Sequence, residues 1–181
     1  MKKWVFIGLI FVLLIFMITA CTILSDREKE LGAYSDDIMP AISEALADFD
    51  AWKENSGDQQ KLDLLQKHAN NINAINSRYF DGPHPQELEW SLKQWEGPEE
   101  DNLKDWKKEM RELAYAAWYM RERSTQFADK LEEISEAQGK LSKEELKQVE
   151  EIARETSKAG KSLHWEYKTW KGDFRPPWRF K

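Results

Sequence analysis

The sequence predicts an all-α protein: an antiparallel four-helix bundle with an extra short helix in the connection between the second and third helices. Three observations carry this. Apolar residues recur at spacings of three and four over long stretches, as on one face of an amphipathic helix, and no stretch alternates like a half-buried strand. Glycine and proline number only 8 and 6 among 181 residues, and most sit where the apolar period breaks. Charged residues make up 33% of the chain, which suits long helices with solvated outer faces.

The first segment, MKKWVFIGLIFVLLIFMITAC, has a two-lysine start, a long apolar run and small residues before a cysteine, the outline of a secretory signal over residues 1–20. Ile18–Cys21, ITAC, resembles the bacterial lipobox. The resemblance implies cleavage before Cys21, lipid (palmitate among the acyl chains) on its thiol, and an extracytoplasmic lipoprotein whose membrane partner is reached through that lipid. Thr22 then points to the outer membrane and periplasm in a Gram-negative host; in a Gram-positive host the protein would sit on the outer face of the cell membrane. The alternative is an uncleaved signal anchor, because Trp4–Leu24 is long enough to span a bilayer. Cys21 is the single cysteine, which excludes internal disulfides, Cys-based zinc sites and iron–sulfur clusters.

Residues 21–36 are polar and read as the tether; residues 37–171 carry the bundle. The first helix places Ile38, Ile42, Ala45, Leu46, Phe49 and Trp52 on one stripe. Ser35, Asp36 and Asp37 are its N-cap candidates, and Pro40 falls in the first turn, where a missing N–H costs little. ENSGD ends it. The second helix carries Leu62, Leu65, Ala69, Ile72, Ile75 and Tyr79 and is broken by FDGPHPQ. The extra short helix covers Gln86–Trp95, with Leu88, Leu92 and Trp95 on one side. Pro98 suits a first helical position, and Glu99, Glu100 and Asp101 favour the positive end of the helix dipole. The third helix then runs Leu103, Trp106, Met110, Leu113, Ala117, Met120, Ser124, Phe127, Leu131, Ile134, with gaps of three and four in strict alternation, as in a coiled-coil seam. Gly139 ends it, and Ser142 with Glu145 makes a capping box. The fourth helix carries Leu146, Val149, Ala153, Thr156, Gly160, Leu163, Tyr167 and Trp170. Short connections force antiparallel neighbours, and an up-down-up-down bundle is the simplest packing.

Gly160–Lys168, GKSLHWEYK, has the outline of the haem-attachment segment C-x-x-C-H-x-x-[YF]-[RK], with Gly160 and Leu163 where the cysteines would stand. With the order of long helices and the entry PEEDNLKDW, it resembles the cytochrome c-prime family and the periplasmic b-type cytochrome that shares its bundle, over roughly residues 36–168. The resemblance implies His164 as proximal haem ligand, Tyr167 and Lys168 as the aromatic and basic residues one turn on, Lys168 near a propionate, and Met39 as the opposite ligand of a haem b. It also implies a homodimer through the first two helices. The missing thiols rule out covalent attachment. An up-down bundle brings the start of its first helix and the end of its last to one end, so Met39 and His164 would share it, and a His/Met ligand pair raises a haem's potential. Against this, a lone histidine beside an apolar stripe is more often exposed or simply hydrogen-bonded, and a methionine at a helix start is more often core filler. The favoured expectation is no cofactor; the alternative is a b-type haem protein for electron transfer or for haem or gas sensing, with Met39 and His164 as axial ligands and no metal beyond that iron.

The formal charge of −6 argues against nucleic acid. No E-x-x-H pair supports a di-iron site, acidic doublets such as Glu132–Glu133 and Glu150–Glu151 read as solvated helix faces, and nucleophile elbows and phosphate-binding loops are absent. No enzyme is expected. Residues 172–181 form an aromatic and basic tail. Trp170, Phe174, Arg175, Trp178 and Arg179 suggest docking to a membrane interface, a glycan or an acidic partner. The plainer reading, which is preferred, has the tail folding back along the bundle. The sequence thus predicts a membrane-tethered, non-enzymatic binding or envelope-associated module.

Overall fold

The computed structural model describes residues 29–79 and 101–170, with the side chains of 101–107 and 109 left out. Helix α1 covers residues 29–54. It is followed by α2 (Gln59–Tyr79), α3 (Asp101–Glu136) and α4 (Lys143–Lys168). The predicted extra helix, the signal segment with Cys21 and the tail lie outside the described residues. With about 1.5 Å of rise per residue, the 36 residues of α3 make a rod on the order of 54 Å long.

These helices form an antiparallel four-helix bundle. Cross-contacts fix the neighbours. Tyr34 and Asp48 of α1 meet Asn76 and His68 of α2, and Asn76 and Gln66 of α2 meet Ser124 and Glu132 of α3. Thr156 of α4 bonds the Arg123 carbonyl of α3. Gly32 and Lys53 of α1 meet Tyr167 and Glu150 of α4. In each pair where two contacts are given, one residue number falls as the other rises, so those neighbours run antiparallel; α3 and α4, joined by the short connection 137–142, do the same. The core is one continuous cluster. From Met110 to Ile134, every predicted seam position of α3 is buried.

Residues 29–36 already belong to α1, so the assignment of 21–36 to a tether is corrected over those residues. The apolar stripe reaches back to Leu31 and to Tyr34, which is fully buried, so those turns have a core to pack on. Ser35, Asp36 and Asp37 are therefore interior positions, not caps. Pro40 is inside the helix, on its exposed face, where water can take the carbonyl its missing N–H leaves unbonded.

At one end of the bundle the α1–α2 and α3–α4 connections interlock. Gln138 and Gly139 take positive φ values of 51° and 73°, and the Gly139 N–H bonds the Ile134 carbonyl at 2.9 Å, closing α3 in the manner of a left-handed helix cap. The Trp52 indole N–H donates to the Ser56 carbonyl at 3.2 Å. The capping box at α4 is formed as predicted: the Ser142 hydroxyl accepts from the Glu145 N–H at 3.2 Å, and the Ser142 N–H donates to the Glu145 carboxylate at 2.7 Å.

Candidate functional site

The residues singled out by GKSLHWEYK lie at the opposite end, on the α1–α4 seam. Two glycines there act as reciprocal sockets. A Cβ added to Gly32 of α1 would stand 3.1 Å from the Tyr167 hydroxyl of α4, and one added to Gly160 of α4 would stand 3.5 Å from Cε and 3.6 Å from Sδ of Met39 on α1. Socket and knob are one heptad apart on each helix, Gly32 to Met39 and Gly160 to Tyr167, so the pattern reads the same from either strand of the pair. The Tyr167 hydroxyl also donates to Asp36 at 3.1 Å, one helical turn from its socket. Small residues let the helix backbones approach closely, and each knob fills the space that closeness leaves.

This arrangement does not fit a haem. Met39 and His164 do share an end of the bundle, but Met39 is turned onto Gly160, with the Met120 sulfur 3.9 Å from the same Cβ position. A ring system between α1 and α4 would have to displace that contact. His164 is exposed, one turn from Gly160 on the outer side of the seam formed by buried Gly160 and Leu163. Tyr167 is held by Asp36, and Lys168 is exposed in the last turn. Trp170, placed by the sequence on the fourth helix's apolar stripe and, in the alternative, on a docking strip, is 5% exposed and joins the core, which corrects it as a docking residue. Phe174, Arg175, Trp178 and Arg179 lie outside the described residues.

A buried polar layer crosses the bundle near the same end. The Tyr34 hydroxyl donates to Asn76 Oδ1 at 3.1 Å, and Asn76 Nδ2 donates to Ser124 and Thr125, each at 2.9 Å. Burial pushes the Tyr34 phenol far above its ordinary value of 10.0, so Tyr34 serves as a neutral donor. Below it, Thr156 donates to carbonyls of α3 and α4 at 3.0 and 2.8 Å. At the α1–α2 boundary the Tyr79 hydroxyl donates to Asp37 at 2.6 Å, which raises the phenol's pKa because the bond favours its neutral form. His68, nearly buried, meets Asp48 at 2.6 Å. The sequence reading placed Ser124 and Thr156 on seams but missed Tyr34 and Asn76. The available signal was an asparagine and two hydroxyl residues at core positions of adjacent helices.

Among the described residues, a groove of about 340 Å³ lies between the C-terminal half of α1 and the facing part of α4. Leu46, Phe49 and Ala153 floor it; Asp50, Lys53, Glu150 and Arg154 rim it. Those charges are already matched: Lys53 reaches Asp50 at 2.8 Å and Glu150 at 3.4 Å, over the Phe49 ring, and Arg154 pairs with Glu151. Among the described residues there is no cluster of three or more metal-ligating His, Cys, Asp or Glu side chains, and no helix long and apolar enough to cross a membrane. Compared with protein-family models, curated proteins and solved structures, the chain matches none.

Proposed function

We propose that this is a membrane-tethered, extracytoplasmic bundle that works as a non-enzymatic binding or envelope-associated module, a relative of the cytochrome c-prime type of bundle that dispenses with haem. The observation that carries the tether is the position of the single cysteine: Cys21 closes a lysine-led apolar run at ITAC, eight residues before the first described turn of α1 at Lys29. Lipid on Cys21 then holds the bundle by the end where α1 begins. The non-enzymatic reading is supported by the interior. Tyr34, Asn76 and Ser124 bond one another, Thr156 bonds helix carbonyls, and the α1–α4 groove is rimmed by charges that already have partners. The expected partners are the membrane and an envelope protein or glycan.

Replacing Cys21 by Ser tests the tether. A lipoprotein loses acyl labelling and its cleaved size, whereas a signal anchor stays membrane-bound at unchanged size. Titration of the purified protein with haemin tests the rejection of the cytochrome reading. No Soret shift is expected; a stoichiometric band that disappears in both His164→Ala and Met39→Ala would reinstate haem b.

A further inference from the structure

The three methionines of the described bundle are not equivalent. Met110 and Met120 are both 0% exposed. Met39 is only partly buried, and its sulfur and methyl are what fill the Gly160 socket. We infer that Met39 is a redox-modification site, at which a hydroperoxide-class oxidant converts the thioether to the sulfoxide and so opens the α1–α4 clasp. The step balances simply. The sulfur lone pair attacks one peroxide oxygen, the S–O bond forms as the O–O bond breaks, and the other oxygen leaves as hydroxide and takes up a proton to become water. Sulfur is oxidised by two electrons and the peroxide is reduced.

Selectivity follows from burial: Met39 is the one of the three whose residue is not fully buried, and susceptibility to oxidation rises with exposure. The consequence follows from the socket. A thioether suits a space shared with a glycine and the Met120 sulfur; a sulfoxide is larger and carries a strong dipole, which is costly there unless a donor reaches it. Relieving the mismatch separates α1 from α4 at that end. The neighbouring Tyr167–Gly32 contact and the Tyr167–Asp36 hydrogen bond depend on the same close approach and loosen with it. Methionine sulfoxide reductase chemistry closes the clasp again. The inference concerns the bundle itself and does not depend on how the chain is tethered.

The test is peptide mapping of the full-length protein in detergent after graded hydrogen peroxide, with amide exchange measured on the same samples. Sulfoxide at Met39 is expected about tenfold faster than at Met110 or Met120. Exchange protection should fall over residues 32–39 and 160–167 while residues 124–134 stay protected, and reductase should restore it. Met39→Leu, a volume-conserving swap, should keep its protection in peroxide. Oxidation of Met39 no faster than of the other two overturns the proposal. So does sulfoxide at Met39 with protection unchanged, and so does loss of protection across the whole bundle.

Discussion

The two ends of the bundle both depend on glycine, yet they use it in opposite ways. At the loop end, Gly139 stands at a φ of 73°, and a Cβ there would lie 2.5 Å from the Ser56 carbonyl oxygen. The neighbour is backbone, pinned by the Trp52 indole, and cannot move aside. At the other end Gly32 and Gly160 are ordinary helical residues whose sockets receive the tips of flexible side chains at 3.1 Å and beyond. One glycine is required by conformation and the others by proximity. The first kind fixes where the chain turns; the second sets how closely two helices sit, and that is adjustable.

Gly139→Ala should therefore be the most damaging single methyl in the described protein. The strained φ costs about 1–3 kcal/mol by itself, and the collision with Ser56 adds to it. Urea denaturation should show a loss of about 3 kcal/mol, and a loss under about 1 kcal/mol would mean that the two connections are not locked together.

The polar layer comes next. In Asn76→Ala the buried hydroxyls of Tyr34 and Ser124 lose their bonds to the amide, at a cost of about 2–3 kcal/mol. Combining Tyr34→Phe, Asn76→Leu and Ser124→Ala should recover most of it, since of the partners only the half-buried Thr125 then keeps a polar group. If the triple variant is as unstable as Asn76→Ala, packing and not hydrogen bonding holds this end.

The same contrast explains what was legible in the sequence. Period and punctuation are local, and they located the α3 seam, the Ser142–Glu145 box and the Gly139 stop. The start of α1 was misplaced because its first turns bury Gly32, Tyr34 and Ser35, residues that carry little apolar signal, while Pro40 imitates a first-turn proline. The Tyr34–Asn76–Ser124 layer joins residues 42 and 48 positions apart, and whether they meet depends on the relative heights of three helices, which no local pattern encodes. GKSLHWEYK was singled out as the outline of a haem-attachment segment. Its Gly160 and Tyr167 serve packing, and His164 at the same spacing ended outside the seam.

Alanine at the two helical glycines gives a finer test. Both gain about 1 kcal/mol of helix propensity. At Gly32 that gain must offset contacts of 3.1 and 3.2 Å with the Tyr167 ring and hydroxyl, so Gly32→Ala should be neutral to about 1 kcal/mol destabilising and should break the Asp36 bond. At Gly160 the nearest atoms are at ordinary contact distance, and Gly160→Ala should be stabilising by about 0.5–1 kcal/mol. Equal shifts in urea midpoint for the two variants would refute the difference in tightness.

The smallest expected effect separates the ends by pH. The Ser142 N–H holds the Glu145 carboxyl below its ordinary 4.5, so the charged form is favoured by folding. A depressed acid contributes stability that is present above 4.5 and is lost as pH falls through the lower folded value. At the other end, Asp37 and burial raise Tyr79 above 10.0. A raised phenol contributes below 10.0 and loses that contribution as pH climbs through its folded value. Acid should thus loosen the loop end first and alkali the clasp end first. Amide exchange corrected for its intrinsic pH dependence would show this as early loss of protection around 143–149 in acid and around 72–79 in base. Glu145→Gln should abolish the first and Tyr79→Phe the second, each leaving the other intact. If both ends loosen together in either direction, the bundle opens as one cooperative unit and the division between its ends is geometric only.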